Sequence, residues 1–435
     1  MTSPVTPYIE TRFQTLMPAK PKIIYATQWL PYPPDVGFRI RHLEILKALS
    51  LFGCVTLVIA GDEATQSPQL EAIRPFCKDI VALDSGEPER ACRERYASRL
   101  RSTLGRLSLL STGYRPVRVR QVYGNSKVRV AFARLLAEHD LAWVVRYSTA
   151  EMLAASGSKI ILDMDDVEHK TLWRELCVRP WGWGRWFTYA ELIKLACYEH
   201  RLPANFGKVL VCSEVDRRYL RSRNVQVLPN GTNVPQTFDS AGDGRTLLFF
   251  GVLSYAPNSD AATYFARQVF PLIKKQVPDA RFVIGGASPS PEICRLHGSD
   301  GVTVAGFIAD LGTALAQAAV VVAPLRAGSG TRIKIMEAMA HGKAVVATSI
   351  GAEGIPARDS VDIFIRDKPQ DMATACVQLL REPALRRETG VHARAFVKDN
   401  FEWSSIGKTV AEIVRSAVGI TAADDFTRES GRAKG

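Results

Sequence analysis

The sequence predicts an α/β protein of two successive domains, each built on a parallel sheet. Three observations predict it. The chain has 435 residues, and at about 100–200 residues per domain that length suits two domains or three. Short β-rich runs that are apolar on both faces alternate with longer stretches at helical spacing, the pattern of strands covered by helices on both sides. At 229–244 the text changes to PNGTNVPQTFDSAGDG, where Gly, Pro, Asn and Asp dominate and periodicity is lost, and a fresh α/β series follows.

In the first half, Lys22–Ala26 (KIIYA) reads as a strand. Ile40, Leu43, Ile45, Leu46 and Leu49 mark a helix over 38–50. Val55–Ala60, Ile80–Leu83, Leu141–Arg146, Lys159–Asp163 and Lys208–Ser213 read as further buried strands, and 168–205 as helix interrupted around Pro180–Gly184. The second half repeats the alternation, with strands at Thr246–Val252, Arg281–Gly285, Val302–Gly306, Val320–Leu325, Ala344–Thr348 and Asp362–Arg366. Helices are expected at 258–276, 310–318, 331–341, 369–381 and 384–399. The expected division is 1–235, 243–400, a terminal helix 401–418 returning to the first domain, and a polar, flexible tail 421–435.

Composition places the chain among soluble globular proteins, with 46% hydrophobic and 23% charged residues. That excludes a disordered, collagen-like or rod-like chain. No stretch approaches the roughly 20 apolar residues of a membrane span. The first twenty residues lack an apolar signal-peptide core, so a cytoplasmic location is expected. The eight cysteines show no CxxC spacing and mostly sit in apolar runs. Buried free thiols are expected, rather than a disulfide framework or a zinc site.

The net charge of +12 is concentrated. Residues 90–134 hold twelve Lys/Arg against one acid, Glu94. Within that run Tyr96, Leu100, Leu104 and Leu107 recur at helical spacing. A basic amphipathic helix suits an anionic membrane surface; the plain alternative is a surface helix with solvated arginines. Nucleic acid is not expected, because no recognition motif accompanies the charge. Arg179–Phe187 (RPWGWGRWF) is a second interfacial candidate, with a packed hydrophobic loop as its alternative.

In parallel α/β sheets ligands bind outside the carboxyl ends of the strands, so two facing sheets make a cleft lined by post-strand loops. The strongest such loop lies in 320–349, VVVAPLRAGSGTRIKIMEAMAHGKAVVATS. Gly328, Ser329 and Gly330 let backbone approach a ligand, and free N–H groups at the start of the following helix face the same place. Arg332 and Lys334 oppose the helix dipole there unless an anion, a phosphate or diphosphate, joins them. Glu337 lies on the same face as Lys334 and suits ribose hydroxyls. The plain alternative is a surface Lys–Glu pair on an ordinary strand–helix turn.

This segment resembles the donor-site signature of group 1 (family 4) glycosyltransferases, P-L-x-x-G-x-G-x-[RK]-x-K-x-x-E-A-M-A-x-G-x-x-V-V-[AS]-T. FFGVLSYAPN (249–258), VTVAGFIADL (302–311), SIGAEGI (349–355) and WLPYPPDVGFRIRHLEILKAL (29–49) match the same family, and the similarity spans 20–415. It is nearest to a bacterial branch associated with exopolysaccharide systems. The resemblance implies two Rossmann-like domains in the GT-B arrangement, facing each other across a cleft. It implies retaining transfer of a sugar from a nucleoside-diphosphate-sugar to a lipid-linked or polysaccharide acceptor, at the inner face of the plasma membrane. It calls on no cofactor beyond the donor and no metal strictly required.

By the same resemblance, Arg332, Lys334 and the Gly328–Thr331 backbone stabilise the leaving diphosphate. Gly306 and Phe307 seat the base. Gly37 brings the first-domain loop to the diphosphate or sugar, with Arg39 behind it. Asp166, in the run Asp163-Met-Asp-Asp166, orients an acceptor hydroxyl, while a neighbouring acid caps the next helix. Two departures stand out. Ser329 occupies the position of the first Glu of the family's E-x7-E pattern, and Ser254, Tyr255 and Asn258 stand where an Arg/Lys pair is usual. The shared two-domain cleft leaves open an epimerase or phosphorylase on the same fold, and Ser329 leaves open a non-catalytic nucleotide-sugar-binding subunit.

Overall fold

Two parallel sheets organise the chain in a computed structural model that describes residues 20–34, 37–60, 69–83, 116, 126–178 and 185–419. The helix read from Tyr96 to Leu107, most of the tryptophan-rich run, Asp35-Val36 and the 421–435 tail lie outside the described residues. The first sheet has seven strands in the order β3-β2-β1-β4-β5-β6-β7. They are β1 (Lys22–Thr27), β2 (Cys54–Ala60), β3 (Asp79–Leu83), β4 (Leu141–Val145), β5 (Gly157–Asp165), β6 (Phe206–Val211) and β7 (Val225–Val227). The second has six, in the order β10-β9-β8-β11-β12-β13. They are β8 (Thr246–Phe250), β9 (Arg281–Gly285), β10 (Val302–Gly306), β11 (Val320–Ala323), β12 (Ala344–Ala347) and β13 (Phe364–Ile365).

Strand order reverses at β1/β4 in one sheet and at β8/β11 in the other. Neighbouring loops leave in opposite directions at such switch points, and a crevice opens between them. The central strands are buried on both faces; Leu141–Val145 is wholly enclosed. In the first domain Tyr25, Leu46, Trp143, Trp403, Val410 and Ile413 form one core layer. Ile24, Phe132, Val144, Leu162, Leu172 and Leu195 form the layer on the opposite face. Each fully buried side chain of this size contributes about 1.5–3 kcal/mol of transfer free energy. The Trp403–Val418 helix therefore packs on the first domain although its sequence follows the second.

Several elements differ from the sequence reading. Arg146 does not extend β4; it opens the Arg146–Leu153 helix, with a φ of 63°. The short Glu214–Leu220 helix, capped by Ser213, and strand β7 are additional. The long helix expected at 258–276 is Ala256–Tyr264 continuing through a π-turn, Phe265–Val269, into Phe270–Lys274. Pro271 has no N–H to continue the regular ladder, which accounts for the wider turn there.

The 229–244 segment joins the two sheets without a helix or strand of its own, and it is anchored. Asn230 and Thr232 are buried, and the Thr232 amide donates to the Phe401 carbonyl at 2.8 Å. The expectation of buried thiols fails at Cys177, Cys197 and Cys294, which are exposed, whereas Cys212 and Cys376 are buried. Apolar neighbours in sequence do not bury a cysteine when its own helix face points to solvent. Among the described residues no helix is long and apolar enough to cross a membrane.

Candidate active site between the two sheets

The two switch points face each other and enclose a cavity of about 720 Å³. Its walls come from loops after β1, β5, β8, β9, β10 and β11, including Gly37, Asp166, Tyr255, Asn258, Phe307 and the run Ala327–Lys334 with Glu337. Of the residues singled out by sequence, Gly37, Asp166, Asn258, Phe307, Gly328, Ser329, Gly330, Thr331, Arg332, Lys334 and Glu337 meet here. Gly306 adjoins the wall, its φ of 71° turning the chain so that Phe307 projects with 71% of its surface exposed. Phe307 is thus a cleft-lip aromatic and not a core residue. Ser254 is not among the lining residues. The turn closed by Tyr255 N–H to the Val252 carbonyl at 3.3 Å buries Leu253 and leaves Ser254 on the outside, so Tyr255 faces the cavity instead.

Strand β11 ends at Ala323, and the chain turns through Gly328 (φ 113°) and Gly330 (φ 70°), conformations that favour glycine. Arg332 is then the N-cap of the Ile333–Ala340 helix. Its Nη1 donates to the carbonyls of Ser329 and Gly330. Its Nε and Nη2, together with the Thr331 hydroxyl, are buried without a hydrogen-bond partner. Burial depresses the guanidinium's pKa. Buried donors left unpaired are costly, about 1–3 kcal/mol each. An anion in the cavity would satisfy them.

Lys334 sits over the Phe249 ring, 4.5 Å from its centroid, and donates to Asn258 Oδ1 at 2.6 Å. Desolvation, reinforced by Arg332, lowers its pKa to about 7. Glu337 is pushed up to about 7 by desolvation, against the pull of Lys334. On the opposite wall, Asp166 is pushed up to about 7 by desolvation and by the neighbouring Asp165 carboxylate, with Arg146 opposing. Asp163 plays a different part from Asp166. It is fully buried and accepts from Arg41 Nη2 at 3.0 Å, while Arg41 Nη1 binds the Leu228 and Pro229 carbonyls and Asn230. Helix Glu168–Val178 is capped by Glu199, which accepts from the Glu168 and His169 amides at 3.0 Å each, and not by the aspartate run.

Residues 244–382, most of the second domain including the Gly328–Arg332 loop, match the family described as glycosyl transferases group 1. The second domain is a group 1 glycosyltransferase domain. Over 406 residues the enzyme is 21% identical to an uncharacterised 44.6 kDa protein of the cps region of Klebsiella pneumoniae, covering 89% of this chain and 98% of that one. It is 28% identical over 234 residues to a phosphatidyl-myo-inositol mannosyltransferase of Mycolicibacterium smegmatis, covering 49% of this chain and 58% of the relative. Among solved structures, the glycosyltransferase resembles sucrose-phosphate synthase from Thermosynechococcus elongatus, with a TM-score of 0.65, 17% identity, and coverage of 92% and 100% of the two chains. It also resembles Anabaena HepE, solved with UDP and glucose, with a TM-score of 0.60, 14% identity, and coverage of 91% and 100%. These structures share the GT-B arrangement of two Rossmann-like domains.

Several cleft residues of the glycosyltransferase escape sequence reading. Phe38, Asn230, Gly251 and Gly286 line the cavity. Gly286 carries a usable signal, a double glycine directly after a buried strand: a Cβ there would stand 1.8 Å from the Gly251 carbonyl oxygen. Asn230 carries none, because it reaches the cleft through the segment between the sheets. Glu353 pairs with Lys170 and Arg174 of the first domain.

Proposed function

We propose that the enzyme transfers a sugar, with retention at the anomeric carbon, from a nucleoside-diphosphate-sugar in the cleft to a lipid-linked or polysaccharide acceptor in cell-surface polysaccharide assembly. One observation carries the donor reading: the buried, unpartnered donors of Arg332 and Thr331 converge with Lys334 at the glycine-turned start of a helix. That arrangement suits a diphosphate. The UDP complex of HepE supports a nucleotide donor, and the Klebsiella cps-region relative supports a polysaccharide context.

In this reading the diphosphate bridges Arg332 and Lys334, with loop N–H groups between them. As the C1–O bond breaks, the leaving diphosphate gains negative charge, and these preorganised donors stabilise it more than the ground state. An anion beside Lys334 returns its proton affinity toward the ordinary lysine range, so the bound lysine is a full cation. Glu337 accepts from the ribose hydroxyls, and Phe307 lies against the base. Asp166 accepts a hydrogen bond from the acceptor hydroxyl on the other wall. The acceptor enters on the leaving-group side, and its proton passes to the departing phosphate oxygen, so no protein nucleophile is assigned. The basic 90–134 run would hold the enzyme at an anionic membrane face near a lipid-linked acceptor.

Purified enzyme incubated with labelled UDP- and GDP-sugars should label a membrane-extracted acceptor pool, and Lys334→Ala should lower that transfer by orders of magnitude with the fold intact. Epimerised sugar without acceptor, or turnover that needs inorganic phosphate, would replace transfer with one of the other reactions this fold supports.

A further inference from the structure

The Glu168–Val178 helix turns two faces in different directions. Leu172 and Leu176 face the first-domain core. Lys170, Thr171 and Arg174 face the second domain, where their partners belong to the Gly328–Arg332 loop and to the Gly351–Gly354 turn beside it; Lys170 also reaches Asp216 of its own domain. Thr171 Oγ1 lies 2.6 Å from Ser329 Oγ. Arg174 Nη1 donates to the Gly328 carbonyl at 2.6 Å, and its Nη2 donates to Glu353. Lys170 Nζ is shared between Asp216 and Glu353, 2.6 Å from each. The turn itself is wedged in place: a Cβ on Gly354 would stand 2.8 Å from Ser213 Cβ and 2.9 Å from Thr331 Cγ2.

The contacts bear on backbone direction. A trans peptide points its C=O and the next N–H opposite ways. With the Gly328 carbonyl drawn to Arg174, the Ser329 N–H turns away from that helix. The loop needs an external hold because Gly328 and Gly330 give it little of its own. The Ser329 hydroxyl is itself engaged by Thr171. A loop already in its binding shape loses less entropy when the ligand arrives.

We propose that Thr171 and Arg174 are positioning residues for the donor: from the opposite domain they hold the Gly328–Arg332 loop in its diphosphate-binding shape, and donor affinity depends on them although they touch no donor. This rests on the donor reading given above. It places the Ser329 hydroxyl in an interdomain contact, leaving sugar recognition to other cleft residues.

Calorimetric titration of UDP and of GDP into wild type, Thr171→Val, Thr171→Ser and Arg174→Ala tests it, with thermal melting as the check on folding. Losing the charge-assisted bond in Arg174→Ala should weaken nucleotide binding by about tenfold or more, and Thr171→Val by about threefold to fivefold. Thr171→Ser, which keeps the hydroxyl, should bind like wild type. In steady-state transfer the donor KM should rise while the acceptor KM stays constant. Nucleotide affinities of Arg174→Ala and Thr171→Val within twofold of wild type would overturn the assignment alone. Should Arg174→Ala fail to fold, the near-isosteric Thr171→Val decides. Failure of wild type to bind either nucleotide would overturn the donor reading, and this assignment with it.

Discussion

Asp166 and Gly330 meet across the cleft: a Cβ built on Gly330 would stand 3.0 Å from the Cβ of Asp166. The loop after β5 and the loop after β11 touch at a position where the second has no side chain. Gly330→Ala adds a methyl group there at a φ of 70° that L residues rarely adopt. The expected result is a loss of about 1 kcal/mol in unfolding free energy. Transfer should fall tenfold or more as the two walls are pushed apart. Urea denaturation alongside steady-state assays would measure both.

Lys334 should make nucleotide binding pH-dependent. Its pKa is lowered to about 7 by desolvation and Arg332. Raising the pH above 7 removes its charge before a diphosphate arrives, so affinity for UDP should fall as pH rises. The limit is about tenfold per pH unit, reached when one proton is taken up on binding. Glu337 ionises over the same range, and a carboxylate that holds the ribose better when charged would offset part of that fall. Lys334→Arg keeps its charge and should flatten the profile between pH 7 and 9. A flat wild-type profile by calorimetry would remove Lys334 from the diphosphate site.

Glu337→Gln separates the two ends of the donor. If the carboxylate binds ribose hydroxyls, UDP affinity should fall by about tenfold, the worth of a charge-assisted hydrogen bond. Inorganic pyrophosphate, which has no ribose, should bind the variant as well as or better than wild type. Equal losses for both ligands would assign Glu337 to holding Lys334 instead.

Two aspartates three residues apart should respond differently. Asp163→Ala removes the carboxylate 3.0 Å from the buried Arg41 guanidinium and leaves it Asp165 at 3.7 Å. Breaking a buried pair this way costs about 3–5 kcal/mol of stability. Asp166→Asn, on the cleft surface, should leave the melting temperature nearly unchanged and lower kcat. A melting temperature that drops for Asp166→Asn as far as for Asp163→Ala would make Asp166 structural.

Much of this was legible along the chain. The β11 loop and its helix were readable because glycines, cations and Glu337 fall within ten residues of one another. Their spacing alone puts them on one turn and one helix face. The sheets were readable because strands covered on both sides leave unbroken apolar runs. Residues whose roles depend on distant partners were not readable. Thr171, Arg174 and Glu353 look like ordinary surface polar residues, and their contacts span 158, 154 and 179 positions. Arg41 looks like a solvated helix arginine until its partner Asp163 appears 122 positions later. Ser254 and Tyr255 are adjacent, and only the turn that buries Leu253 decides which one faces the cavity.

The sequence by itself determined the two parallel α/β units, the family of the second one, and the loop that offers donors to an anion. Those are properties of hydrophobic period and of short-range geometry, which act over a few residues. The tertiary structure alone decided that this loop closes against the helix after β5, that Ser329 meets Thr171, and that Asp163 is core while Asp166 is cleft. Pairing across a domain boundary depends on where two rigid sheets come to rest. That position is set by the summed packing of the whole interface, including the Trp403–Val418 helix that crosses back from the second domain to the first.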